Sequence, residues 1–178
     1  EQIKVARGEV LSLKQEDIGI DGHSIEIRVY AEDPENDFLP DLGKIVHYKK
    51  PTGLGVRVDD GYEQGHTIPL TYDPMIAKLI VHGKDRDEAI ERMIEAIDNY
   101  EIAGFATTLG FCKFAVDHPE FRNGNFTINF VGDHYKTEML RKEIDENLAE
   151  KTYQLFRKLK NDQEPVYEDQ HLSSWLSR

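Results

Sequence analysis

Apolar and polar residues alternate most clearly over residues 23–31, where Ile25, Ile27 and Val29 are interleaved with Ser24, Glu26, Arg28 and Tyr30. A period of two predicts a strand with one buried and one open face. Shorter runs at 44–48 and 55–59, separated by the Pro51-Thr52-Gly53 turn, and a longer apolar run at 75–81 predict further strands. Pro34, Pro40 and Gly43 break residues 31–43 into turns. The period changes after Gly83. Ala89, Ile90, Met93, Ile94, Ala96, Ile97 and Tyr100 form a helical stripe, preceded by Asp85 and Glu88 in the arrangement of a capping box. Thr107 or Thr108 is placed to cap a second helix running to Val116, which Asp117-His118-Pro119 ends. Residues 123–131 read as a turn and a final strand, and Leu140, Ile144, Leu148, Leu155 and Leu159 predict a tail helix over 136–160. At the front, Ile3, Val5 and Ala6 follow a helical pattern that stops at Gly8. Short strands with close turns, flanked by helices, predict an α+β chain built on an antiparallel barrel or sandwich.

Composition narrows the functional classes. With 34 acidic against 22 basic residues, the formal net charge is -12, which repels phosphate backbones and argues against broad nucleic-acid binding. No apolar run approaches the roughly 20 residues of a membrane helix, so no membrane partner is expected. One cysteine, Cys112, cannot close an intrachain disulfide, and a reducing, cytoplasmic setting is the expectation. The chain opens on Glu1 with EQIKVARGE already in helical pattern, which reads as a piece of something longer.

Several common chemistries leave no trace. Gly43-Lys44 and Gly83-Lys84 lack the upstream glycine and following hydroxyl of a phosphate-binding loop, and Gly53-Leu54-Gly55 lacks the third glycine of a dinucleotide fingerprint. The seven histidines show no i,i+4 pairing and no cysteine partners, so no metal site is expected. Cys112, on an amphipathic helix without an assigned base, reads as a buried small residue rather than a nucleophile.

Candidate chemistry concentrates in GHSIEIRVYAEDP (22–34). Glu26 and Arg28 lie two apart on one strand, on the face opposite Ile25, Ile27 and Val29. That pair reads either as a solvated face with a weak ion pair or as an arginine fork, held by a neighbouring carboxylate, for a planar anion. Asp73 in TYDPMIAKL reads as a turn former before Pro74 or as a second acidic group of the same site.

The runs GHSIEIRVYAEDPENDFLPDLGKI (22–45) and PTGLGVRVDDGYEQGHTIPLTYDPMIAKLIVHGKDRDEAIERM (51–93), with the G-x-x-T-T of 104–108, resemble the C-terminal domain of biotin carboxylase. This is the ATP-grasp component of acetyl-CoA, propionyl-CoA and pyruvate carboxylases. The resemblance covers about residues 1–131 and implies an antiparallel barrel-sandwich hybrid with flanking helices. It also implies a division into the end of an ATP-grasp portion (1–17), the C-terminal domain (18–131) and a helical tail (132–178).

In such enzymes ATP and bicarbonate give carboxyphosphate, and the carboxyl group passes to biotin on a separate carrier. The resemblance makes Arg28 the residue contacting bicarbonate and the biotin ureido oxygen, a role suited to a permanently charged guanidinium facing a developing oxyanion. It places Asp73 close to that arginine, gives Glu26 a structural role, and sets Ile128 in the adenine pocket, against the alternative of simple core packing. Arg57 and Leu54 match positions of a two-fold dimer interface, and Asn99 falls where bacterial relatives carry a glutamate paired across the dimer. ATP, Mg2+ and biotin are the implied cofactors, with phosphate and metal ligands expected upstream of this chain. A biotin carboxyl carrier and a carboxyltransferase are the implied partners. Lys78 in MIAKL lacks the two flanking methionines of a biotinylation signature, so the chain is expected to act on biotin rather than carry it. Alone it is expected to be inactive. The competing expectations are a non-catalytic dimerisation module and the terminal domain of another ATP-grasp ligase.

Overall fold

The computed structural model describes residues 1–140. In chain order these form α1 (Gln2–Ala6), β1 (His23–Tyr30), β2 (Glu32–Asp33), β3 (Leu39–Pro40), β4 (His47–Lys49), β5 (Val56–Asp60) and β6 (Met75–Gly83). They continue with α2 (Arg86–Asp98), β7 (Glu101–Ala103), α3 (Leu109–Asp117), α4 (Pro119–Arg122) and α5 (Phe130–His134). Most of the predicted tail helix lies outside the described residues, and Thr137–Met139 form a single 3-10 turn.

The central sheet has the order β1-β6-β5, antiparallel throughout, with Ile25 opposite Val81, Ile27 opposite Leu79 and Leu79 opposite Val58. Directly opposed residues share a face, so each of these rows stacks apolar side chains on the same side. There α2 packs against β6 and β1, and Val29, Leu79, Val81, Ala89, Ile90 and Met93 are fully buried. Each of the larger side chains among them, Ala89 excepted, contributes about 1.5–3 kcal/mol of burial free energy.

The start of α2 follows its expected chemistry. Asp85 Oδ1 accepts the Glu88 N–H at 2.9 Å, and the Glu88 carboxylate reaches back to the Lys84 N–H at 2.7 Å, one residue before the cap. At α3 the outcome differs. Thr108 occupies the cap position, but its hydroxyl makes no cap bond and instead joins β1. His118 ends α3 and starts α4, its Nδ1 accepting the Glu120 N–H at 3.2 Å while Pro119 takes the first helical position.

Two glycines are dictated by close approach. A Cβ at Gly55, whose φ is 71°, would lie 2.5 Å from both an Arg92 guanidinium nitrogen and the His82 carbonyl oxygen. A Cβ at Gly104, with φ 130°, would lie 2.1 Å from the Lys44 carbonyl oxygen. Neither position tolerates a side chain without moving backbone.

The α+β class and antiparallel pairing stand as expected, whereas barrel closure is not seen. Among the described residues the strands fall into three separate sheets, β1-β6-β5, β2-β3 and β4-β7, and Lys44 and Thr67 make only an isolated bridge. Two- and three-residue strands supply too few ladder bonds to link the sheets. The final strand expected over 123–131 is absent. Thr127 turns the chain locally, its hydroxyl accepting from the Asn129 N–H at 3.2 Å and its carbonyl from the Phe130 N–H at 3.1 Å, and α5 follows. These short-range bonds compete with any strand ladder.

Candidate active site

The open face of the central sheet is charged. Arg28 stands opposite Lys78, which stands opposite Asp59, and in the next row Glu26 stands opposite Ile80 and Ile80 opposite Arg57. Arg28 Nε lies 4.0 Å from Glu26 Oε1, with the arginine side chain 60% exposed. Two strongly hydrated groups at that separation gain little from one another, leaving most of the guanidinium donors available.

Thr108 fixes the backbone on either side of this arginine. Its hydroxyl accepts the Tyr30 N–H at 3.0 Å and donates to the Arg28 carbonyl at 3.3 Å, and its own N–H bonds the Tyr30 carbonyl at 3.1 Å. Thr108 is buried, so these bonds are shielded from competing water. The arginine is therefore an exposed charged head on a stem held by hydrogen bonds.

Asp73 lies just before β6, at the end of the sheet where Tyr30 pairs with Met75. Its Oδ1 accepts the Met75 N–H at 3.2 Å, the turn-forming role that a residue before proline invites. No ion pair joins Asp73 to Arg28 among the described residues, so the structure sets the two near the same strand end without linking them. A carboxylate outside the expected set enters here. Glu32, in β2, has its carboxyl pKa raised, first by partial burial and then by the Asp73 charge. It continues the 26, 28, 30 series along the chain, the one sequence signal that points to it.

Ile128 is not in a strand and not in the core. It sits in the turn before α5 and is 101% exposed, which overturns its core-packing reading. Cys112 is sheltered, and burial pushes its thiol up to about 11, the wrong direction for a nucleophile. Among the described residues no group of three or more His, Cys, Asp or Glu side chains is placed to hold a metal ion. No helix among them is long and apolar enough to cross a membrane.

A second surface lies along β5 and the end of α2. Leu54 is 90% exposed at the mouth of a cleft of about 260 Å3 that it lines with Arg92, Glu95 and Asn99. Arg57 donates to both carboxylate oxygens of Asp59, at 2.8 and 2.7 Å, and the pairing holds the Asp59 pKa below its usual value. Asn99, exposed at the end of α2, donates to the Glu95 carbonyl at 2.9 Å.

Residues 26–133, from the start of this charged face to α5, match the family described as the biotin carboxylase C-terminal domain. The chain belongs to that family. Among curated relatives, biotin carboxylase 1 of Bacillus subtilis is 49% identical over 131 residues, covering 74% of this chain and 29% of its own. The propionyl-CoA carboxylase alpha chain of Homo sapiens is 44% identical over 137 residues, 76% of this chain and 19% of its own. Among solved structures, the biotin carboxylase domain dimer of Hydrogenobacter thermophilus 2-oxoglutarate carboxylase, in complex with MgADP, ADP and bicarbonate, superposes with a TM-score of 0.75 at 39% identity. It covers 80% of this chain and 31% of that one. The biotin carboxylase C-terminal domain in this chain thus spans less than a third of the length of these relatives. Arg28, Glu32, Asp73, Thr108 and Ile128 all fall inside the matched range, whereas Tyr135 falls just beyond it.

Proposed function

We propose that this chain is the C-terminal part of an ATP-dependent biotin carboxylase that carboxylates carrier-bound biotin with bicarbonate. The observation that carries the reading is Arg28: an open, weakly paired guanidinium on a stem locked by Thr108, within the family's matched range. A planar fork of that kind donates to two oxygens of bicarbonate and stabilises negative charge on a ureido oxygen as its neighbouring nitrogen loses a proton. Lys78 lies beside it in the same row and adds positive potential. On this reading Asp73, near the same strand end, acts on the arginine through its charge rather than by a direct bond, and Ile128 offers an apolar surface to an adenine ring. On this reading the metal and phosphate ligands lie in the preceding part of the longer enzyme.

The test is made on a longer protein that includes the preceding region. It should hydrolyse ATP in a biotin- and bicarbonate-dependent way, and Arg28→Ala should depress biotin carboxylation by about a hundredfold or more, the loss seen when one oxyanion donor is removed. Unchanged carboxylation in that variant overturns the assignment. ATP turnover indifferent to biotin would point to a different ATP-grasp ligase. A biotin carboxyl carrier and a carboxyltransferase are the partners this reading requires, in a reducing cytoplasmic setting.

The exposed Leu54 beside its cleft supports a second role, as the surface on which two copies meet about a two-fold axis. Here Arg57 is paired within its own chain and Asn99 within its own helix, so apolar contact at Leu54 carries the association. Leu54→Asp should shift sedimentation toward the monomer. A dimer that persists in that variant locates the interface elsewhere.

A further inference from the structure

The turn joining β2 and β3 holds two consecutive non-glycine residues in the left-handed region, Asp37 at φ 51° and Phe38 at φ 56°. For a bulky residue this conformation is an outlier that persists only where the surroundings over-determine it. The surroundings are aromatic. The Phe38 ring stands edge-on to Phe111 at 5.0 Å and 5.7 Å from Tyr135. Tyr135 in turn meets Phe111 at 5.0 Å and Phe114 at 5.7 Å, and its hydroxyl donates to the Pro34 carbonyl at 2.8 Å. One side chain, following α5, therefore holds both the ring and the backbone of the turn.

The other end of this hairpin reaches the site. The Ala31 N–H bonds the Pro74 carbonyl at 2.9 Å, and the Asp41 N–H bonds the Ala31 carbonyl at 2.9 Å. The Asp41 carboxylate accepts the Ala106 N–H at 2.6 Å, two residues before Thr108. Between these anchors lies Glu32, whose carboxyl senses the charge of Asp73.

We propose that Tyr135 is a positioning residue: it clamps the strained 31–41 hairpin so that Glu32 and the Asp73-Pro74 turn stay in place beside the Arg28 strand. The structural half of this stands on its own, and the consequence for biotin rests on the function proposed above.

The test has two arms. In the full chain, Tyr135→Ala should raise hydrogen exchange at the Phe38 and Leu39 amides, which bond the Asp33 and Asn36 carbonyls, by about tenfold or more. Tyr135→Phe keeps the ring and should restore most of that protection. Adding Phe38→Gly, which removes the conformational penalty at φ 56°, should return protection toward normal in the Tyr135→Ala background. In the longer enzyme, Tyr135→Ala should raise the KM for free biotin several-fold without changing biotin-independent ATP turnover, and Tyr135→Phe should sit near wild type. Unaltered exchange in Tyr135→Ala overturns the clamp. Faster exchange with an unaltered biotin KM overturns its link to the site. If Tyr135→Ala does not fold, Tyr135→Leu, which keeps apolar bulk but removes the ring geometry and the hydroxyl, should raise exchange at the same two amides, and unaltered exchange there would overturn the clamp. Loss of the function reading itself shows separately, as an Arg28→Ala enzyme that still carboxylates biotin.

Discussion

Two regions of the molecule bury apolar surface by different means. In the β1-β6-β5 sheet and α2 it is done by aliphatic side chains at regular spacing, and Val29, Leu79, Val81, Ala89, Ile90 and Met93 are lost entirely from solvent. Between Gly104 and Tyr135 only Thr108, Leu109 and Val116 are buried, none of them completely, and rings do most of the packing. Phe114 meets Phe111, His118, Phe130 and Tyr135, and the His118 and His134 rings lie 4.6 Å apart. Aliphatic packing follows area and volume, so it tolerates no gap but asks little of direction. Ring packing depends on edge and face geometry and leaves polar tips free to bond, as Tyr135 does with Pro34. The first region makes a rigid floor, and the second acts on that floor through single contacts at its edge.

This contrast can be broken at three points. The largest effect is expected at Leu79, at the centre of β6. Leu79→Ala should cost about 2–5 kcal/mol in denaturant unfolding, the range for a cavity in a close-packed core. A loss near zero would mean that the sheet and α2 do not form the floor. Next comes the seam between the regions. Thr108→Val keeps the side-chain shape but removes the acceptor of the half-buried Tyr30 N–H, which should cost about 1 kcal/mol. If the proposed function holds, the same variant should weaken carboxylation in the longer enzyme while Arg28 is intact, and equal stability of variant and parent would show that the seam bonds are replaced by water.

The smallest effect is expected at the rim. Glu32 has a raised carboxyl pKa in the folded state, so between the unfolded and folded values the native chain binds more protons than the unfolded one. Its contribution is therefore favourable at low pH and is lost as pH rises through that window. Glu32→Gln should raise Tm slightly at neutral pH and leave it unchanged near pH 4. A fall in Tm at neutral pH would show that the ionised carboxylate makes a stabilising contact instead.

Much of the rigid floor is legible in the sequence. The alternation at 23–31 places β1 and assigns Glu26 and Arg28 to its open face, and Asp85 with Glu88 places the start of α2. Gly8, at φ 78°, follows α1 as its pattern implies. Much less of the aromatic region can be read. Residues 123–131 alternate like a strand, yet no strand edge is offered to them, and the Thr127 turn and ring contacts prevail. Thr108 has the local pattern of a helix cap, but tertiary proximity gives its hydroxyl two better partners on β1. Glu32 and Asp73 lie 41 positions apart along the sequence, and no local pattern couples their charges.

Periodicity and local bonding alone thus determined which faces of β1 and α2 are apolar, where α2 begins, and that Glu26 and Arg28 share the open side of β1. Those features depend on residues a few positions apart, for which backbone geometry sets direction. The folded chain alone decided that the strands stay in three sheets, that Ile128 is exposed, and that Tyr135 grips a turn some hundred residues earlier. Contacts between distant segments depend on how the whole chain closes, and no short window of sequence carries that geometry.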